Sequence, residues 1–393
     1  MDFRFSTEDE AFRAELREFL DRELPADWQP GSVLSEYEGG ADARWELKQR
    51  FSKKLVERGW LALAWPKEYG GLGASHMQQT IYSEEMALRG APGTGNMGIA
   101  WVGPAIMLYG TDEQKAKWLP PITSGDELWC TLYSEPGAGS DLAALQTRAV
   151  QDGDDFVISG QKIWTSGADR AHWGWLAART DADAPKHKGI STFAVPMDAP
   201  GISIRPLVNM AGQAGFNEVF FDNVRVPKEY VIGELNRGWY QVAVALDFER
   251  SGIGMFGRSK RILDEYTSFL RARPDIARLS PALRFELAER AIENTVGRWM
   301  SYRIPWMQAQ GLAPNYEASV TKLYGTELSQ RLAQTGMKIL GLHGQLREGD
   351  ARAPLDGRVG HDYLETLSLT IGGGTSEVMR SVIATRGLGL PRE

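Results

Sequence analysis

The chain has 393 residues, 42% of them hydrophobic and 24% charged, a composition of folded globular proteins with room for two or three domains. Its net charge of −7 argues against a nucleic-acid binder, which needs a basic face to release counterions from phosphates. The single cysteine, Cys130, rules out an intrachain disulfide, points to a reducing compartment and, set in an apolar run, reads as a buried inert thiol.

From the N-terminus to about residue 125 the pattern is helical. Thr7-x-x-Glu10 reads as a capping box ahead of Phe12, Leu16, Leu20 and Leu24 on one face. Trp45–Trp60 continues the period and stops at the turn cluster Pro66–Gly73. Further helical stretches run over Ser75–Leu88 and Gly98–Tyr109, and Thr111-x-x-Gln114 caps a helix that runs into Pro120-Pro121.

From Leu128 the period changes. Short β-rich runs follow at Thr147–Val150, Phe156–Ile158, Trp173–Ala178, Ser191–Val195, Ile202–Val208 and Glu218–Phe221, separated by turns such as Asp152-Gly153 and Ala199-Pro200-Gly201. This block predicts a small sheet or barrel, with Thr180–Lys188 as an exposed loop. From Gly238 the pattern is helical again: Leu283, Leu287, Ala291 and Trp299 mark one long amphipathic helix, and Tyr316–Leu342 and Thr375–Thr385 supply others. The order is all-α, all-β, all-α, with expected domains at 1–125, 126–235 and 236–393. There is no βαβ alternation, no G-x-G-x-x-G after a strand and no internal repeat, which disfavours a Rossmann nicotinamide site.

No apolar run is long enough to span a bilayer. The start Met1-Asp2-Phe3-Arg4-Phe5 is neither a signal peptide nor an Arg-rich transit sequence, so a cytoplasmic protein is expected. His76, His172, His187, His343 and His361 show no metal-ligand spacing, and no metal site is expected.

Two stretches stand out as chemistry-bearing. Leu132-Tyr133-Ser134-Glu135-Pro136-Gly137-Ala138-Gly139-Ser140-Asp141 sets glycines and polar side chains behind an apolar lead-in, suited to a backbone that approaches a flat or charged ligand. Alone it reads more readily as an ordinary turn. The downstream stretch Gly160-Gln161-Lys162-Ile163-Trp164-Thr165-Ser166-Gly167 changes the balance, because a planar apolar ring beside N–H and hydroxyl groups suits one face and one polar edge of a flavin. A tryptophan near a strand end, read alone, belongs to a core.

Together these stretches resemble the flavin-binding segments of the acyl-CoA dehydrogenase family. The resemblance extends in order over nearly the whole chain: Pro66-x-x-Tyr69-Gly70-Gly71, Gly110-Thr111-x-x-Gln114-Lys115 with Leu119-Pro120, Ser134–Asp141, Trp164–Ser166 and Gly372-Gly373-Gly374-Thr375-Ser376-Glu377. It implies an α+β architecture of a helical domain, a β domain and a C-terminal four-helix bundle, with FAD between the last two. By position, Tyr133, Ser134, Gly139 and Ser140 line the flavin and the coenzyme A opening, and Trp164, Thr165 and Ser166 flank the isoalloxazine. Thr375, a plausible N-cap, joins Ser376 and Glu377 in contacting the FAD, and Gly374 lies beside the substrate; without the resemblance the triglycine reads equally as a hinge.

Removing a proton from Cα of a thioester needs a placed carboxylate. Many family members supply it from the loop before the final helix, where this chain has Gly373. Others use the first helix of the C-terminal domain, and Glu249 in Ala245-Leu246-Asp247-Phe248-Glu249-Arg250 matches that position. The resemblance therefore assigns Glu249 as base, with Asp247 and Arg250 near substrate. Read alone, Glu249 is a solvated helix charge or a partner of Arg250. The apolar run Val242–Leu246, and Gly252, Gly254 and Gly257 in what reads as helix, favour burial against a close neighbour.

Two stretches depart from the family pattern. Arg271-Ala272-Arg273-Pro274-Asp275 lacks the Phe-Gly of the segment that reaches a neighbouring subunit's FAD, and Lys338–Gly344 lacks the usual Gln and paired glycines. Both resemble bacterial members built from two unlike subunits, some acting on sterol side chains. The implied activity is FAD-dependent α,β-dehydrogenation of an acyl-CoA thioester, with electron-transfer flavoprotein as acceptor and a dimeric or tetrameric homo- or hetero-oligomer as the assembly. Alternatives are a flavin-poor partner subunit, a flavin monooxygenase or oxidase on the same fold, and a DNA-associated relative that the acidic balance disfavours. The segment Gly95–Ala100 lies where the family shapes its acyl pocket.

Overall fold

The computed structural model describes residues 4–26, 28, 42–93, 96–245, 251–279 and 281–391, with backbone alone for 42–44, 243–245 and 277–279. The first helices are α1 (Thr7–Glu23), α2 (Asp42–Glu57), α3 (His76–Arg89), α4 (Gly103–Tyr109) and α5 (Asp112–Thr123). Strands follow: β1 (Trp129–Leu132), β2 (Arg148–Asp152), β3 (Asp155–Ser166), β4 (Trp173–Arg179), β5 (Ile190–Pro196), β6 (Ile202–Leu207), β7 (Phe216–Pro227) and β8 (Val231–Ile232). The chain closes with α6 (Gly238–Ala245), α7 (Ile253–Ala272), α8 (Pro274–Leu279), α9 (Pro281–Ala309), α10 (Tyr316–Leu340), α11 (Arg358–Leu369) and α12 (Ser376–Val382). This is the α+β order that the change of period predicts. By packing, the chain forms two compact units: Met1–Leu34 with Ala74–Ala91 and Arg250–Glu393, and Ser35–Gly73 with Pro92–Glu249.

In the first unit the capping box of α1 sits one residue earlier than expected. Ser6, not Thr7, is the N-cap, and its side chain accepts from the Asp9 N–H while Asp9 accepts in return. Either hydroxyl satisfies the spacing rule, but only Ser6 has extended backbone, which a cap needs to aim its oxygen at the first turn. Leu16, Phe19 and Leu20 are buried; Leu24 is the C-cap rather than part of that face.

Gly252 is not inside a helix. It takes a left-handed φ of 64° and caps the start of α7, whereas Gly257 lies within α7 and an added Cβ would meet the Glu84 carbonyl of α3 at 2.9 Å. The close-neighbour expectation therefore holds at Gly257. Along α9, Leu283 and Leu287 pack against the core as expected, Ala291 is exposed, and the fully buried positions are Arg290, Asn294, Gly297, Ser301 and Tyr302 among others. Small side chains there permit close helix crossings, with Gly297 against the Phe256 ring and Gly336 of α10 against Tyr266. α7, α10 and α11 share a core of Leu263, Tyr266, Leu270, Leu332, Ile339 and Val359.

In the second unit the sheet runs β6-β7-β3-β2-β4-β5-β8, with β1 added parallel to β4. A single pair, Arg148 with Arg179, joins β2 to β4. β4 and β5 are buried on both faces, which is why neither sequence shows the apolar–polar alternation of a half-buried strand. One face, through Trp175, Ala177 and Ala194, packs on the helical core of Trp65, Val102 and Trp118. The other, through Leu176, Ala178, Phe193 and Val195, closes on Ile158, Val219 and Val224. Cys130 lies fully buried in that second core, its thiol pushed up to about 12 by burial, as an inert thiol should be. The expected short runs at 156–158 and 218–221 are parts of the long antiparallel partners β3 and β7.

Candidate functional site

The two stretches singled out from the sequence meet at β3. The register against β7 passes from Lys162↔Val219 to Thr165↔Asn217, so β3 carries one extra residue there, a bulge. Trp164 occupies it with φ 62°, a left-handed conformation uncommon for a large side chain, and its indole is 59% exposed. The bulge turns outward a ring that regular alternation would place elsewhere. Thr165, next along, is buried; its carbonyl accepts from the Asn217 side chain at 3.2 Å, but its hydroxyl has no hydrogen-bond partner among the described residues. Ser166 is half-buried.

The Tyr133–Asp141 segment docks on the same strand. Ile163 N–H donates to the Ser134 carbonyl at 2.9 Å, and the Lys162 ammonium donates to the Tyr133 carbonyl at 2.9 Å and to Glu135 at 2.8 Å. The Glu135 carboxylate also accepts from the backbone N–H groups of Gln146 at 2.6 Å and Thr147 at 2.8 Å, while Glu135 and Ala138 exchange two backbone bonds that close the Pro136-Gly137 turn. Burial would push the Glu135 carboxyl up, but the Lys162 charge and these hydrogen bonds outweigh it and hold it below the usual range. Burial pushes the fully enclosed Lys162 ammonium down to about 8, against the pull of Glu135. Neither residue carried a role in the sequence reading, because a lone Lys or Glu is by default solvated; their twenty-seven-residue separation gives no local signal.

Tyr133 is buried, stacked on Trp101 at 6.4 Å and edge-on to Trp175 at 5.5 Å. Its hydroxyl also lacks a hydrogen-bond partner among the described residues, and burial raises its pKa. Trp101 belongs to a π-helical turn, Gly98–Val102, that precedes α4, so the expected acyl-pocket segment lies next to the flavin-type segment; Gly95 itself is outside the described residues. Ser134 is half-buried, and Gly139, Ser140 and Asp141 are exposed. An added Cβ at Gly137 or Gly139 would meet nothing within 4 Å, leaving the backbone open to a ligand. Lys186 reaches Asp141 at 2.6 Å, and Arg179 ties the Thr180–Lys188 loop through the carbonyls of Lys186, Lys188 and Ala143.

In the first unit, Thr375 caps α12 by accepting from the Val378 N–H at 3.1 Å, as its sequence predicts. Gly373 and Gly374 take φ values of 65° and 96°, so the triglycine is a fixed turn whose backbone favours glycine. Lys322 of α10, which the sequence did not flag, holds that turn by donating to the carbonyls of Gly374 and of Leu369; burial lowers its pKa. Ser376 is buried with an unpartnered hydroxyl among the described residues, and Glu377 is exposed. Glu249, Asp247 and Arg250 lie outside the described residues.

The structure also brings His361, Asp362 and Glu365 of α11 within 4.8 Å of one another, a grouping the histidine spacing did not reveal. Each of the three already has an interaction of its own. Of the departures from the family pattern, Arg273 pairs with Asp275 just beyond α7, and Lys338 pairs with Glu286.

Three family models match in sequence order: the acyl-CoA dehydrogenase N-terminal domain over residues 6–126, the middle domain over 130–224 and the C-terminal domain over 236–388. The chain belongs to the acyl-CoA dehydrogenase family. Acyl-CoA dehydrogenase FadE26 of Mycobacterium tuberculosis is 38% identical over 405 residues, covering 100% of this chain and 99% of that protein. Among solved structures, the Tcur3481-Tcur3483 steroid ACAD matches with a TM-score of 0.90 and 38% identity over 100% of both chains. The ChsE4-ChsE5 complex from Mycobacterium tuberculosis matches at 0.86 and 36%, again over 100% of both. This acyl-CoA dehydrogenase is thus an oxidoreductase of a flavin-dependent family, and these two structural relatives are heteromeric complexes. Among its described residues no helix is long and apolar enough to cross a membrane.

Proposed function

We propose that this acyl-CoA dehydrogenase oxidises the Cα–Cβ bond of an acyl-CoA thioester to the trans-2-enoyl thioester, with Glu249 as base and FAD as cofactor. What carries the reading is the β3 bulge, which sets the outward Trp164 indole beside the buried Thr165 hydroxyl, without a partner among the described residues. The residues present fit a flavin. Open glycine backbone at 137 and 139 and buried hydroxyls on Thr165 and Tyr133 without partners among the described residues are groups that a polar ring edge and its side chain would satisfy. The residues proposed to hold it are Tyr133, Ser134, Gly139, Ser140, Trp164, Thr165 and Ser166, with Thr375, Ser376 and Glu377 added by the family resemblance.

Bound FAD would supply the acceptor for the hydride that leaves Cβ. Glu249 takes the proton from Cα, and both electrons of the Cβ–H bond depart with the hydride, so the new double bond balances. Asp247, Arg250 and Gly374 are the proposed substrate contacts, with Ser140 at the coenzyme A opening. Electron-transfer flavoprotein is the proposed final acceptor. Steroid-ring acyl groups are the substrate class to test first, because the steroid ACAD is 38% identical over the whole chain. The same likeness supports an unlike second subunit as partner.

The test is anaerobic addition of straight-chain, branched and steroid-ring acyl-CoA thioesters to the purified protein, with bleaching of the visible flavin band as readout. Glu249→Gln is expected to slow bleaching by about a hundred- to ten-thousand-fold, the range for a lost general base; bleaching at a near-normal rate removes Glu249 from the role. A colourless chain that takes up FAD only with a second subunit favours the partner-subunit reading, and oxygen consumption during turnover favours an oxidase or monooxygenase.

A further inference from the structure

Resting on the flavin reading, a second role attaches to a residue that touches neither substrate nor any group assigned to catalysis. We propose that Lys162 is a positioning residue: by donating to the Tyr133 carbonyl, its ammonium holds the Tyr133–Ser134 segment against the bulge that presents Trp164 and Thr165. The two segments come from chain stretches twenty-nine residues apart and are tied directly by two bonds, Ile163 N–H to the Ser134 carbonyl and Lys162 to the Tyr133 carbonyl. The first is a backbone bond that any residue at 163 except proline supplies. The second depends on the side chain at 162, which is fully buried two residues before the bulge.

Glu135 divides the work. Two of its three partners are the Gln146 and Thr147 backbone N–H groups, so it fixes the far end of the loop and keeps a counter-charge beside Lys162. With Lys162 gone, Glu135 retains both backbone donors and the Gln146–Thr147 corner stays anchored. Glu135 loses its Lys162 donor and counter-charge as well, but the Tyr133 carbonyl loses the side-chain donor that ties it to β3. The consequence falls on the flavin-facing end of the segment and, through the buried Glu135 carboxylate, on stability, which the apoprotein midpoint reads separately.

The experiment uses the protein as isolated, with any subunit that co-purifies, and compares wild type, Lys162→Met and Lys162→Gln. Readouts are the dissociation constant for FAD, the position of the bound flavin's visible band, and the thermal midpoint of the apoprotein. Methionine keeps the volume without a donor and is expected to raise the dissociation constant about ten-fold or more, as for one buried acceptor left unmet, while moving the visible band toward that of free flavin. Glutamine keeps a donor on an arm one atom shorter and is expected to fall between methionine and wild type. A folded methionine variant that binds FAD as wild type does, with the same band, overturns the proposal; so does a glutamine variant no better than methionine. Should methionine prevent folding, Lys162→Met is made in a Glu135→Gln background, which removes the orphaned charge; FAD binding and a band equal to those of Glu135→Gln alone overturn it. A wild-type protein that takes up no FAD overturns the flavin reading itself and this role with it.

Discussion

Glu84 is held by donors from three directions: Arg13 on α1 at 2.8 Å, and Arg298 and Tyr302 on α9. Burial would raise its pKa, but the hydrogen bonds from Arg298, Arg13 and Tyr302 outweigh that and hold the carboxyl below the usual range. Because the folded value is depressed, the stabilisation is fully present above the ordinary carboxylate value and is lost as pH falls through the folded one. Glu84→Gln removes the charge while Arg13 keeps Glu85 at 2.6 Å, so the expected loss is about 3 kcal/mol, the low end for breaking a buried pair. Denaturant unfolding at pH 7 measures it, and the gap to wild type should narrow as the pH drops below the carboxylate range. At this scale the sequence was informative about residue type and poor about partners. Thr165 and Thr375 could be singled out from neighbours one to three places away, whereas Lys162, Glu135 and Lys322 take their meaning from carbonyls and backbone amides distant in sequence.

Among the elements, α9 shows where amphipathic reading was incomplete: Leu283 and Leu287 pack on the core as expected, but Ala291 is exposed. The rule assumes that the buried stripe is apolar, yet α9 buries Arg290, Asn294 and Ser301, and its glycine admits a neighbour's ring. A Cβ at Gly297 would lie 2.0 Å from Phe256, itself 1% exposed and without room to retreat. Gly297→Ala is therefore expected to destabilise by about 1–3 kcal/mol through overpacking, exceeding the roughly 0.5–1 kcal/mol that alanine gains within a helix. Gly254→Ala in α7 is the control: its nearest neighbours stand 3.9 Å away, and the midpoint should hold or rise. Thermal unfolding of the two variants decides it. Where the rules were local they succeeded: the cap at Thr111 forms as its spacing predicts, and only the choice between Ser6 and Thr7 needed backbone angles.

For the molecule as a whole, the change of period marked helices, strands and helices in the right order, but not the grouping of α1 and α3 with the C-terminal helices. That grouping rests on contacts such as Arg13 to Tyr302, 289 residues apart, which no window on the sequence can see. The first unit also exposes a line of large apolar side chains on α9: Phe285 at 77%, Ile292 at 65% and Val296 at 45%. On the proposed subunit reading this line faces another subunit. Phe285→Glu combined with Ile292→Glu is then expected to lower the assembly mass in light scattering with the far-ultraviolet dichroism unchanged; an unaltered mass would exclude that face from the interface.

In the second unit, Trp129 and Trp173 lie face to face at 5.5 Å and 17°, with Trp118 edge-on to both. Indoles held this way absorb as a coupled set rather than singly. Of the thirteen tryptophans, only Trp28, Trp299 and Trp306 belong to the first unit. The chain thus carries an exciton signal in the near ultraviolet that reports on β1 and β4 staying paired, an optical label that nature has attached to one half alone.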